Sequence, residues 1–265
     1  MSIPELVLTK ENGVATLTIN RPERMNAMTT PMYHEMQRIV EDIREDDNTK
    51  VLILTGKDPA FCAGSDVRQR LSARIEGEVI EKSRKEMLEP VGLVASMFAS
   101  LVKPTIAAVN GVATGAGLSF ALLCDIRVAS DKARFGAAWA RVGLIPDLGA
   151  TYTLPRLIGP DKAFEIFLTG DLIDASEAER VGLVTRVVPH DELMGHCHQF
   201  AQRIADGPSV AMELIKRAVY RGLHNDLDKQ LDFETYAQNV CRQTEDHKEG
   251  VAAFMEKRKP AFKGF

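Results

Sequence analysis

The sequence predicts an α/β protein with a largely parallel sheet, followed by a helical C-terminal region. Three observations carry this. Short continuous apolar runs recur at Val51-Leu52-Ile53-Leu54 and Thr105-Ile106-Ala107-Ala108-Val109, the pattern of strands buried on both faces. Segments of helical period separate such runs, and that alternation implies right-handed crossovers between parallel strands. Beyond Pro146 strand signals become rare and helical patterns dominate.

The elements follow in chain order. Leu6-Val7-Leu8 and Val14-Ala15-Thr16-Leu17-Thr18-Ile19 read as strands joined through Asn12-Gly13, residue types that tolerate the positive φ of a hairpin turn. Asn20-Arg21-Pro22 breaks the second strand, and a helix is expected from about Thr30-Pro31, with Met32, Met36, Ile39, Val40 and Ile43 on one face. Ile126-Arg127-Val128-Ala129 is a further strand, and helices are expected over residues 79–100 and 116–123. After Pro146 only residues 183–188 read as a strand, while 161–168, 191–205, 210–222 and 227–241 read as helices. A division near residue 200 is expected, with 1–200 as the core and 201–265 as a helical region. No Gly/Ser-rich linker separates them.

Composition narrows the function classes. With 45% hydrophobic and 26% charged residues, the 265-residue chain has ordinary globular balance. A net charge of −4 gives no reason to expect nucleic-acid binding, which usually shows a basic face, although Lys257, Arg258 and Lys259 form one basic cluster. No apolar stretch is long enough to span a bilayer, and the N-terminus lacks the basic and apolar segments of a secretory signal. Cys62, Cys124, Cys197 and Cys241 form no CxxC pair and read as reduced thiols filling the core. A cytoplasmic location is therefore expected. His196-Cys197-His198 sits on an expected helix, where adjacent side chains diverge, so no metal site is expected.

Three segments carry candidate chemistry. Phe61-Cys62-Ala63-Gly64-Ser65-Asp66 follows the third strand closely, and its small residues let a ligand approach the main chain. Asn110-Gly111-Val112-Ala113-Thr114-Gly115-Ala116-Gly117 joins an apolar strand to an apolar helix. Unpaired N–H groups at that helix start suit a developing oxyanion or a phosphate. The third runs from Phe135 through Trp139 to Ile145-Pro146-Asp147-Leu148-Gly149. Asp147 there reads either as a helix N-cap or as an acid–base group in an apolar frame. Trp139, the single tryptophan, reads as a packing anchor or as an indole donor.

In this order and spacing the three segments resemble the crotonase (enoyl-CoA hydratase/isomerase) superfamily. Asn20-Arg21-Pro22 with Asn26-Ala27, Lys103-Pro104, Cys124-Asp125-Ile126-Arg127, Leu168-Thr169-Gly170, and Glu249-Gly250 with Lys257-Arg258 extend the likeness over nearly the whole chain. The resemblance implies a ββα spiral core with a C-terminal helical trimerisation region, and a homotrimer or dimer of trimers. It implies an acyl-CoA substrate and no cofactor beyond the CoA moiety. It maps the oxyanion-hole donors onto the main-chain N–H groups of Ser65 and Ala116; losing one such donor costs about 3–4 kcal/mol of transition-state stabilisation. CoA is expected along Arg24, Met25, Ala27, Ala63, Gly64, Asp66, Val67 and Gly115, with Trp139 in the pocket and Lys257 near CoA phosphates of a neighbouring copy. Residues 68–89 are expected to shape the acyl pocket. Asp66 and Asp125 are expected to fix loops or strand ends.

The sequence departs from the hydratase pattern at both of its glutamates. Ser119 and Trp139 stand where the resemblance places them, and neither can take up a proton near neutral pH as a carboxylate can. Asp147 remains, as in the aspartate-dependent enoyl-CoA and epoxyphenylacetyl-CoA isomerases. The Trp139/Asp147 spacing also resembles aryl-CoA dehalogenases, but residues 91–100 lack the histidine those enzymes require. Hydration by an atypical site and acyl-CoA binding without turnover are the other readings.

Overall fold

The strands β1 (Leu6–Glu11) and β2 (Val14–Ile19) pair as an antiparallel hairpin. Asn12 and Gly13 turn it at φ 49° and 82°, as their residue types suggest. The structure, a computed structural model, describes residues 3–66 and 92–265. Val67, the expected acyl-pocket residues 68–89 and the first part of the expected 79–100 helix lie outside the described residues.

From β3 onward the chain winds as a spiral. Each turn gives a longer strand to one sheet and a shorter strand to a second. The longer strands are β3 (Val51–Gly56), β5 (Thr105–Val109) and β7 (Ile126–Ser130). The shorter are β4 (Ala60–Cys62), β6 (Val112–Thr114) and β8 (Arg134–Gly136). With β9 (Leu172–Asp174) and β10 (Arg186–Val188), the sheet orders are β1-β2-β3-β5-β7-β10 and β4-β6-β8-β9. Only β1–β2 and β8–β9 pair antiparallel. The short second sheet escaped sequence reading because three-residue strands have too few positions to show a period.

Helices cover both faces of the larger sheet. α1 (Thr30–Glu45) buries Met32, Met36, Ile39, Val40 and Ile43, and Thr29, one residue before the expected start, caps it by accepting the Met32 N–H. α2 (Gly92–Ser100) and α3 (Ala116–Leu123) add Val94, Phe98, Leu118 and Phe120 to the same core. α7 (Leu193–Ala205) covers the opposite face with Leu193, Cys197 and Ala201. β3 shows the division residue by residue: Leu52 and Leu54 face the first core, Val51 and Ile53 the second. Truncating any of these to alanine costs about 2–5 kcal/mol.

Between these lie α4 (Ala150–Ile158), α5 (Pro160–Thr169) and α6 (Ala175–Arg180). The sequence suggested only α5; α4 carries Pro155, a residue that reads as a helix breaker, and α6 at six residues is too short to show a period. Residue 200 falls within α7. Then follow α8 (Ser209–Gly222), α9 (Leu227–Cys241) and α10 (Glu245–Glu256), the last without an expected counterpart. No helix among the described residues is long and apolar enough to cross a membrane.

Two motifs prove to be joints. Lys103 donates to the Ile43 and Asp46 carbonyls at the end of α1, each at 2.6 Å, where a cation suits the helix dipole. Burial pushes its pKa down. Asp125 accepts from Thr105 N–H at 2.7 Å and from Tyr220 at 2.8 Å, and pairs with Lys216 at 2.8 Å. Asp125 thus ties α8 to a strand end, a fixing role like the one its position suggested.

Candidate active site

Two loops leave the carboxyl ends of neighbouring parallel strands, β4 and β6. One is Ala63-Gly64-Ser65-Asp66; the other passes Gly115 into α3. Gly64 has φ 106° and Gly115 φ 53°, conformations that exclude most side chains. A Cβ on Gly64 would stand 3.1 Å from Thr114 O and 3.6 Å from Ala116 N. The chain beside Ser65 therefore lies directly against the start of α3. A Cβ on Gly117 would overlap the Cys62 carbonyl, so the helix is pressed onto β4. Thr114 Oγ1 adds a bond to Ala63 O at 3.1 Å.

Among the described residues, neither Ser65 N–H nor Ala116 N–H donates to a protein acceptor. Ala116 is the first residue of α3, whose N-terminal dipole adds to its N–H in favouring negative charge. The side chains play other parts. Ser65 Oγ lies 2.8 Å from the hydroxyl of the buried Tyr33, a partner that the sequence did not single out. Cys62 is fully buried, which pushes its thiol up to about 12 and keeps it from acting as a nucleophile.

The expected CoA segment is laced to this loop. After the turn Pro22–Arg24, Met25 and Asn26 adopt left-handed φ of 51° and 59°. Asn26 holds that conformation by donating to Lys57 O at 2.7 Å and Ala60 O at 2.6 Å. Ala63 N–H then donates to Met25 O, Met28 N–H to Gly64 O and Asp66 N–H to Met28 O, at 2.9, 2.8 and 2.8 Å. The Asp66 carboxylate pairs with Arg21 at 2.7 Å. Arg24, Met25 and Ala27 therefore share one rim with Ala63, Gly64 and Asp66. Lys257 ends α10 in a left-handed conformation with its side chain exposed.

Asp147 lies between Trp139 and α3. Its helix-cap reading is corrected by the structure: Gly149 precedes α4 and no side chain caps it. The Ala150 N–H goes instead to the Asp147 main-chain carbonyl, at 3.0 Å. The carboxylate turns toward Trp139, whose indole Nε1 donates to Oδ1 at 3.2 Å. Trp139 combines both roles read for it, because its ring is buried and packs edge-on against Phe167 at 6.4 Å. Asp147 itself is half-buried. On its other side Ser119, fully buried, donates its hydroxyl to the Asp147 carbonyl at 3.0 Å. Ser119 drew attention in the sequence for what it replaces; its own partner was not visible there.

The remaining candidates do not converge on this place. Cys197 faces the core, while its neighbour His198 is exposed. A cavity of about 400 Å³ lined by Pro208, Cys241, Phe254 and Phe262 contains none of the residues above.

The sequence profile of the enoyl-CoA hydratase/isomerase family matches residues 9–264. The crotonyl-CoA hydratase of Syntrophomonas wolfei is 38% identical over 265 residues, covering 99% of each chain. The 1,2-epoxyphenylacetyl-CoA isomerase of Escherichia coli is also 38% identical, over 255 residues and 96% of each chain. Among solved structures, a putative enoyl-CoA hydratase from Streptomyces coelicolor superposes with a TM-score of 0.92 at 32% identity, over 100% of this chain and 97% of the other. Spiral fold, paired glycine loops and full-length similarity agree: the chain belongs to the enoyl-CoA hydratase/isomerase family of the crotonase superfamily and acts on acyl-CoA.

Proposed function

We propose that this enzyme is an isomerase, moving the double bond of a 3-enoyl-CoA to position 2 through a thioester enolate. Ser65 N–H and Ala116 N–H receive the enolate oxygen. Both are fixed before charge develops, so no reorganisation accompanies the reaction. Asp147 takes the proton from C2 and returns it to C4. One carboxyl group suffices for both transfers. No cofactor beyond the CoA moiety takes part. Arg24, Met25, Ala27, Ala63, Gly64, Asp66, Val67 and Gly115 are assigned to CoA, and Trp139 to holding Asp147.

The observation that carries this reading is the Trp139 Nε1 to Asp147 Oδ1 bond. Trp139 and Ser119 replace the two glutamates of hydration, and both donate to Asp147 rather than to a water-delivering partner. Asp147 is thus the carboxylate that both replacements hold among the described residues.

The assembly is proposed as a homotrimer or dimer of trimers, built through residues 201–265. Ile215, Val219, Leu223, Leu227 and Phe254 are 57%, 61%, 57%, 71% and 81% exposed, more apolar side chain than an isolated surface usually carries. Lys257 is assigned to CoA phosphates of a neighbouring copy. A cytoplasmic location accords with an acyl-CoA substrate.

The test incubates 3-enoyl- and 2-enoyl-CoA thioesters with enzyme and follows them by mass spectrometry and absorbance. Conversion of 3-enoyl to 2-enoyl without mass change supports isomerisation. A gain of one water on 2-enoyl-CoA returns the reading to hydration, the activity named for the Syntrophomonas wolfei relative. Binding without conversion of any thioester leaves only a carrier role.

A further inference from the structure

The seven residues from Ala116 to Leu122 of α3 are buried, and Ser119 is the one hydroxyl among them. A buried hydroxyl is costly without a partner. In helices serine commonly bonds back to the carbonyl four residues earlier. Here the Gly115 carbonyl already receives Ser119 N–H at 3.1 Å. The hydroxyl reaches across the site to the Asp147 carbonyl instead.

That carbonyl also accepts Ala150 N–H. The turn is thus satisfied without Ser119, and the extra bond fixes where the turn stands. Fixing matters at this point. Leu148, directly after Asp147, has φ 51°, and Gly149 has φ 81°. A left-handed leucine persists only where its surroundings impose it, and Leu148 is buried. Ser119 and Ala116 are three residues apart on one helix, so they share a face. One rigid helix therefore carries an oxyanion donor at its first residue and an anchor for the acid–base residue one turn later.

We infer that Ser119 is a positioning residue, whose hydroxyl holds Asp147 in register with the oxyanion hole. This rests on the proposed acid–base role of Asp147. Substrate contacts of the CoA moiety lie elsewhere, on the rim formed by residues 24–27 and 63–66. Loss of the hydroxyl therefore acts on turnover and not on binding. Misplacement of a catalytic group by about 1 Å can lower rate about 100-fold.

The experiment uses the full-length enzyme with a six-carbon 3-enoyl-CoA, and phenylacetyl-CoA in D₂O to follow exchange at C2. Ser119→Ala removes the donor; Ser119→Cys keeps similar size with a weak donor. The expected order of kcat and of C2 exchange is Ser, Cys, Ala, with about a tenfold loss for Ala and KM within twofold. A merely structural role would not lower turnover in a variant whose melting curve and KM are preserved. If Ser119→Ala does not fold, Ser119→Cys carries the comparison. Wild-type kcat in the folded variants, alongside an inactive Asp147→Asn, overturns this inference alone. Full exchange and turnover in Asp147→Asn overturns the isomerase reading and this inference with it.

Discussion

Residues 63–66 and residues 139–149 both meet α3, yet different parts of the chain fix them. The first loop is held chiefly by main-chain bonds to residues 25 and 28 and by glycines that let backbone approach backbone, with side-chain bonds from Thr114, Arg21 and Tyr33 added to them. Its proposed chemistry also belongs to the main chain. The second loop is held by two side chains, Trp139 and Ser119, and its proposed chemistry belongs to a third, Asp147. A main-chain device tolerates exchange of most side chains and demands glycine at particular φ. A side-chain device can be rewritten by a few substitutions. Relatives of equal identity bear hydratase and isomerase names.

The comparison breaks if the largest losses arise on the wrong side. Asp147→Asn keeps the shape and removes the base. Turnover of 3-enoyl-CoA should fall about 1,000-fold, the scale of general acid–base catalysis, with binding of the thioester retained by calorimetry. Gly64→Ala strikes the other half. Its φ of 106° is unfavourable for alanine, and the new Cβ would press on Thr114 O at 3.1 Å. The loop must shift away from α3, and the loss should approach about 100-fold, the scale of one oxyanion donor. A Gly64→Ala enzyme with normal kcat would mean that Ser65 N–H does not serve the enolate.

The same contrast decides what the sequence revealed. The parallel strands and α1 were legible because burial on both faces, or on one stripe, leaves a period in the residues. The glycines of the proposed oxyanion segment were legible because such conformations strongly favour glycine. The Asp147 region was legible only in part. Asp147 follows a proline and precedes a helix, and such local signals favour a cap as readily as an acid. The bond that turns its carboxylate away from the helix comes from eight residues before it, and the bond to its carbonyl from 28 residues before. Contacts of that kind leave no local pattern. β9 and α6 escaped for the simpler reason of length.

Trp139→Phe sharpens the side-chain half. Phenylalanine keeps an aromatic ring near Phe167, at the cost of some buried volume, and loses the N–H that reaches Asp147. A hydrogen bond to a charged group contributes about 1.5 kcal/mol or more, so kcat should fall about tenfold. KM should change little, and the melting temperature should fall modestly with the lost ring volume. A change in KM alone would assign the indole to the acyl pocket rather than to Asp147.

Ser65→Ala is expected to have the smallest effect, and it tests the main-chain half most directly. Alanine accepts the same backbone conformation as serine, and the N–H proposed to meet the enolate remains. What disappears is the 2.8 Å bond between Ser65 Oγ and the Tyr33 hydroxyl. That bond ties the loop to α1, while the bonds from Met28 to Gly64 and from Asp66 to Met28 still flank it. A single neutral hydrogen bond contributes about 1 kcal/mol net, so turnover should fall by no more than about fivefold. Tyr33→Phe removes the same bond from its other end and should lose at least as much, and the double variant should be no worse than Tyr33→Phe alone. A loss near 100-fold in Ser65→Ala with Tyr33→Phe unaffected would move the chemistry from the Ser65 main chain to its hydroxyl. The two loops would then no longer differ in kind.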